Sequence, residues 1–241
     1  MSGGYYLALG GMRARLSELD RLSADIANAV TAGYKAERAT TAQSDRPDFG
    51  AALTAAIDVT EGPTRVDMRS GSIVPTGRDL DLAVDGPGFF VVDTNGGERY
   101  TRDGRFVRRA DGVLATASGQ AVLGDGGNIT LGKGLVQIDA DGTVRSGGAV
   151  TGRLRVVEFD DPKGLTREST SLLRADNNAS PGPAEISEVR SGALEQSNVS
   201  VVDRIAELTG VSRSFESLQR ALSTLSNEVD GKAIAELGRR S

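Results

Sequence analysis

The chain has 241 residues, enough for one large domain or two modest ones, and only 4% of them are aromatic, so no dense aromatic core organises it. Its net charge of −5 mixes both signs without a basic stripe, which removes the electrostatic footprint of nucleic-acid binding. It has no cysteine and no histidine, which excludes disulfides, thiolate chemistry, imidazole-held metals and most routes to catalysis at neutral pH.

Leu9, Met12, Leu16, Leu19, Ser23, Ile26 and Val30 are spaced alternately three and four apart, which predicts an amphipathic helix over about residues 5–30. Arg13, Arg15, Glu18, Asp20, Arg21 and Asp25 fall off that stripe, and Asn28 and Gly33 are stop signals. Gly10 and Gly11 each weaken the helix by about 1 kcal/mol relative to alanine, so it is marginal until something covers its stripe. The segment has no basic start and gives way at once to charged helix, so it does not read as a cleaved secretory signal. No run reaches the roughly 18 apolar residues that span a bilayer.

Residues 36–76 read as an extended arm, with a polar stretch from Glu37 to Gly50 and a short helical turn or strand at Ala51–Ile57. From residue 77 to 185 the period falls to two. Leu80, Leu82 and Val84 alternate with Asp79, Asp81 and Asp85, and Phe89-Phe-Val-Val92 is a continuous apolar strand. Asn95-Gly96, Asp103-Gly104, Asp111-Gly112, Asp125-Gly126 and Asp141-Gly142 are hairpin dipeptides suited to type I′ turns. This is a glycine-rich antiparallel β domain. Residues 186–241 run extended through Leu194, then enter a helix near Asn198 or Ser200, where Ser200 is a good N-cap with Asp203 in a box-like position, and stop at Asp230-Gly231. On that helix Leu208, Val211, Phe215, Leu218, Leu222, Leu225 and Val229 repeat the stripe, and Val201 extends it past a polar Arg204.

The sequence therefore predicts an α+β protein. Long N- and C-terminal helices (residues 1–35 and within 186–241) would pair as a coiled-coil-like layer around a central antiparallel β domain. By spacing alone, the stripes fit an internal core and an inter-subunit seam equally well.

Motifs that would carry chemistry are weak. Asp139-Ala-Asp141-Gly142 opens like a calcium loop but lacks the later ligands, and hairpin turns account for it. Asp79, Asp81 and Asp85 share one strand face, and without aromatic sugar platforms nearby they read as a solvated sheet face rather than a glycosidase pair. No catalytic residue, cofactor or metal is expected.

Three segments carry a family resemblance. They are Ile26-Ala-Asn28-Ala-Val-Thr31-Ala-Gly33-Tyr34-Lys35, then Leu80–Val92 with Tyr100-Thr-Arg-Asp-Gly-Arg-Phe106, then Gly192-Ala-Leu194-Glu195-Gln-Ser197-Asn198-Val199. In this order they resemble the signatures of the flagellar rod and hook axial proteins. The resemblance implies a structural subunit of the bacterial basal-body rod, which crosses the periplasm. It implies terminal helices packed into an inner tube through the two stripes, and torque passed along the assembly. Partners would be other copies of the chain, other rod proteins and the flagellar type III export apparatus, without membrane insertion. The length and Phe215-Glu216 resemble proximal-rod members more than distal-rod or hook members.

Overall fold

A computed structural model of the chain describes residues 2–39, 64–176 and 179–237, with side chains between 9 and 224. Residues 40–63, and with them the expectation for Ala51–Ile57 and most of the arm, lie outside the described residues. The chain divides into two compact units, one holding both long helices and the other holding residues 28–38 and 65–199.

The helical unit contains α1 (Ser2–Ala27) and α2 (Val201–Leu237). The α1 helix stops just before Asn28, and Ser200 caps α2 by accepting the Asp203 N–H at 3.4 Å. Asp230-Gly231 does not end α2, which continues to Leu237. One interior glycine costs only about 1 kcal/mol, and the Lys-Ala-Ile-Ala-Glu-Leu run beyond it is made mostly of good helix formers.

The α+β expectation fits, but the coiled-coil-like layer does not. On α1 the heptad residues Leu9 and Leu16 are 38% and 47% exposed, and Val30, 85% exposed, lies past the helix end. Leu22 and Asp25, both off the heptad stripe, are the fully buried α1 residues among the described side chains. Where α1 touches α2, Leu218 lies 3.6 Å from the place a β-carbon on Gly11 would occupy, and Arg204 Nε lies 3.2 Å from Asp25 Oδ2. The contact thus uses a small residue and a buried ion pair. A glycine lets the opposing leucine approach closely and a carboxylate draws in Arg204, so this contact is built on Gly11 and Asp25 rather than on the exposed heptad leucines Leu9 and Leu16.

The second unit is built on an antiparallel sheet. Its main path runs through the strands Leu165–Arg167, Leu173–Ala175, Gly97–Thr101, Phe89–Thr94, Ala121–Gly124, Leu114–Thr116 and Phe106–Arg108. The apolar run at 89–92 is continuous because both faces of its strand are covered. Phe90 and Val92 join one core cluster with Phe106, Val122 and Leu114, while Phe89 and Val91 join another with Tyr100, Phe159 and Leu165. Edge-to-face ring pairs lock each cluster, Phe90 on Phe106 at 5.0 Å and Tyr100 on Phe159 at 4.9 Å. A three-stranded sheet (Val136–Ile138, Thr143–Ser146, Ala149–Arg153) lies beside the first cluster.

The turns differ from the type I′ expectation. Asn95-Gly96 and Asp125-Gly126 are two-residue connections, with Thr94 facing Gly97 and Gly124 facing Gly127. Among the described residues, however, no residue but glycine has a positive φ, and the left-handed positions here are Gly97 and Gly127. Moving the left-handed residue one place along spares Asn95 and Asp125 the steric cost of that conformation. Asp103-Gly104 makes no hairpin, since the strands on either side of it pair elsewhere. The predicted solvated carboxylate face also fails at its centre. Asp81 is 3% exposed, and its carbonyl accepts the N–H groups of Gly192 and Ala193.

Two short sheets join distant parts of the chain. Leu82–Asp85 pairs with Glu188–Ser191, and Ile73–Pro75 pairs with Ala193–Glu195. They carry the last β segment back alongside the first.

Candidate functional site

The pairing of Ile73–Pro75 with Ala193–Glu195 delivers Glu195 to the interior, where it is 1% exposed. Residues 32–36, just beyond α1, are buried against it. The turn that starts them is local: the Thr31 and Tyr34 N–H groups donate to the Asn28 and Thr31 carbonyls, and Thr31 Oγ1 lies 3.2 Å from Asn28 Oδ1. Gly33 then takes φ +66°, and its N–H donates to the Glu195 carbonyl at 2.8 Å. A β-carbon at Gly33 would lie 2.2 Å from the Arg102 backbone, so glycine is required twice over.

Glu195 is the hub. Its Oε1 accepts Lys35 Nζ at 2.6 Å and the Gly71 N–H at 2.8 Å, and its Oε2 accepts Arg102 Nη1 at 3.1 Å. Lys35 also donates to the Arg69 carbonyl at 2.9 Å, and Arg102 Nη2 donates to the Gly86 carbonyl at 2.6 Å. Lys35 and Arg102 are each under 4% exposed. Burial pushes the Lys35 ammonium below its usual range, and Glu195 opposes that shift; the Arg102 guanidinium is lowered by burial against the same opposition. One carboxylate serves two buried cations, so the network depends on Glu195 above all.

Asn198 closes the other side. Its Oδ1 accepts the Ala36 N–H at 2.7 Å, and its Nδ2 donates to the carbonyls of Asp67 and Arg69 at 2.8 and 2.9 Å. Its own N–H reaches the Tyr34 carbonyl at 3.3 Å. Arg167 packs its guanidinium 4.4 Å from the Tyr34 ring, donates to Glu37 at 2.6 Å and also bonds the Lys35 carbonyl. Asp67 gathers Arg38 at 2.9 Å and Arg69 at 2.7 Å. Burial works against its charge, but the hydrogen bonds from Arg69 and Arg38 prevail and hold its carboxyl down at about 2.

The site is therefore a clasp. It ties the residues that follow α1 to those that precede α2, and to the sheet through Arg102. Of the motif residues, Gly33, Tyr34, Lys35, Glu195 and Asn198 meet in it, with Leu194 buried beside them. Asn28 and Thr31 shape the preceding turn, while Ser197 Oγ accepts the Val199 N–H at 3.2 Å. Of the stripe residues, Val211 is buried, Leu9, Leu16 and Val30 are exposed, and Met12, Leu19, Ile26, Leu208, Phe215, Leu218 and Leu222 are half-buried. Leu225 and Val229 lie in α2 with side chains outside the described residues. Sequence reasoning passed over Arg102, Asp67, Arg69 and Arg167. Only Arg102 left a trace there, within Tyr100–Phe106, because a surface arginine and a buried one look alike in sequence.

Among the described residues no cluster of acidic side chains is placed to hold a metal. Asp139 instead pairs with Arg145 at 3.0 Å, and Asp141 accepts the Thr143 N–H at 2.9 Å.

Comparison with known proteins places these features in a family setting. Residues 83–146 match the model described as the flagellar hook protein FlgE/F/G D1 domain, and residues 190–234 match the flagellar basal body rod FlgEFG protein C-terminal model. The chain is 35% identical to the flagellar basal-body rod protein FlgF of Caulobacter vibrioides, over 99% of each chain. It is 32% identical to FlgF of Rhizobium meliloti, again over 99% of each. It is also 32% identical to the flagellar basal-body rod protein FlgG of Bacillus subtilis, over 91% of this chain and 93% of that one.

Proposed function

Since the chain belongs to the flagellar rod and hook protein family and is a structural subunit of the basal-body rod, we propose that it occupies the proximal rod and carries torque through the clasp at Glu195. The family is a structural one, not one of enzymes. The observation that supports this role is the convergence of the three motif segments on one buried network. The network binds the two strands of chain that lead from the β unit into α1 and α2. A pull on either helix is then met by charge-assisted hydrogen bonds in the interior rather than by a free linker.

The helices supply the assembly seam in this reading. Leu9 and Leu16 stand exposed on α1, so that face is open to neighbouring subunits. The partners are other copies of the chain and other rod proteins, reached after export through the flagellar type III apparatus.

The test is electron microscopy of basal bodies from cells carrying a short tag in the Asn95-Gly96 turn. Tag density at the proximal rod is expected; density at the distal rod or hook would overturn the assignment. Leu9→Asp with Leu16→Asp should leave a folded, soluble protein but abolish incorporation and swimming, because a charge buried without a partner in an apolar seam costs several kcal/mol. Normal swimming with the double variant in the rod would remove the α1 stripe from the seam.

A further inference from the structure

The β unit carries two surface features that the clasp does not use. The first is a groove of about 420 Å³ in which Arg38, Arg65, Arg69 and Lys163 surround Val66 and Met68. Arg38 and Arg69 already share Asp67, which leaves Arg65 and Lys163 without a carboxylate among the described residues and the groove with a surplus of positive charge. Its floor is apolar, since Val66 and Met68 are half-buried against the cluster of Phe89, Tyr100 and Phe159.

The second feature is the segment Glu185-Ile186-Ser187-Glu188. Ile186 is 75% exposed, and Glu185 and Glu188 are exposed on either side of it. The segment is held rigidly. The N–H groups of Ile186 and Ser187 donate to Glu158 Oε1 at 3.1 and 2.9 Å, and Ser187 Oγ donates to the same oxygen at 2.7 Å. Ser187 Oγ also accepts the Gly88 N–H at 2.7 Å. An isoleucine fixed outward between two carboxylates is preorganised for binding, because little freedom remains to be lost on docking.

We propose that this acidic knob docks in the basic groove of a second copy of the chain. Ile186 covers Val66 and Met68 there, and the two glutamates face Arg65 and Lys163. Charge complementarity selects the occupant, since each copy carries both halves with opposite sign around an apolar centre. In this proposal each copy gives its knob to one neighbour and its groove to another, a head-to-tail contact of the kind that propagates along a helical assembly. The proposal rests on the reading of the chain as a rod subunit that neighbours its own copies.

The absence of native cysteine makes the test clean. Cells co-express two tagged forms, Met68→Cys and Ile186→Cys, and purified basal bodies are oxidised. A disulfide between the two forms is expected, and none from either alone, because a bridge requires Cα atoms within about 7 Å. In parallel, Arg65→Glu with Lys163→Glu should lower incorporation at least about tenfold, and adding Glu185→Lys with Glu188→Lys should restore it. Basal bodies that hold both cysteine forms without the mixed bridge would overturn the contact. So would a bridge between Met68→Cys and Phe49→Cys within a monomer, since residues 40–63 would then fill the groove. Wild-type chain missing from basal bodies altogether would instead overturn the functional reading on which the contact rests.

Discussion

At the scale of single residues, Glu195 carries the largest consequence. Glu195→Gln leaves Lys35 and Arg102 buried without a countercharge, and removing one partner of such a group costs about 3–5 kcal/mol. The midpoint of urea unfolding should fall accordingly, and Lys35→Met added to Glu195→Gln should recover part of the loss. An unchanged midpoint in Glu195→Gln would mean that the network adds no stability. Asp67 adds a pH dependence with a defined sign. Its carboxyl sits at about 2 in the folded protein, against an ordinary 3.8, so its contribution is present above about pH 4 and disappears as pH falls through about 2. The contribution is on the order of 1 kcal/mol after discounting for the exposure of Arg38 and Arg69. Thermal melts between pH 2 and 5 should show a smaller acid-induced drop for Asp67→Asn than for the wild type.

At the scale of elements, the contact of α1 with α2 turns on Asp25 and Arg204. Asp25 is fully buried, with Arg204 at 3.2 Å and Arg21 at 3.9 Å. Arg204→Met should destabilise the helical unit by about 2–3 kcal/mol by stranding most of the Asp25 charge, whereas Arg204→Leu combined with Asp25→Leu should recover that loss. Charge pairs of this kind set register more than stability. The double variant should therefore form less of a disulfide between cysteines placed at Gly11 and Leu218, which the wild-type register brings together. Equal disulfide yield in both backgrounds would show that the pair does not fix the register.

At the scale of the whole molecule, the division into two units makes its own prediction. Every group of the clasp lies between residues 28 and 199, so a fragment of that length keeps Lys35, Arg102, Glu195 and Asn198 together with both core clusters. It should unfold in one cooperative step, near the midpoint of the β unit in the full chain, with native near-ultraviolet circular dichroism. A fragment without fixed tertiary structure would mean that the helices stabilise the β unit, and the clasp would then be a consequence of assembly rather than a preformed anchor.

Local rules decided much of this protein in advance. Both long helices follow from three-and-four spacing, the antiparallel strands from period two, the α2 cap from Ser200 and the end of α1 from Asn28, because each is settled by neighbours a few residues away. The family motifs were equally legible as strings. What the strings did not carry is partnership. Lys35 and Glu195 are 160 residues apart, and no local pattern says that one neutralises the other. The face that α1 offers to α2 was misjudged for the same reason. Periodicity finds every apolar stripe, but the choice between a stripe of leucines and a face bearing Gly11, Leu22 and Asp25 belongs to the opposing helix, which brings Arg204 and Leu218 to that face. Periodicity fixed the helices, while burial, charge neutralisation and close approach, which exist only between distant segments, decided which faces meet.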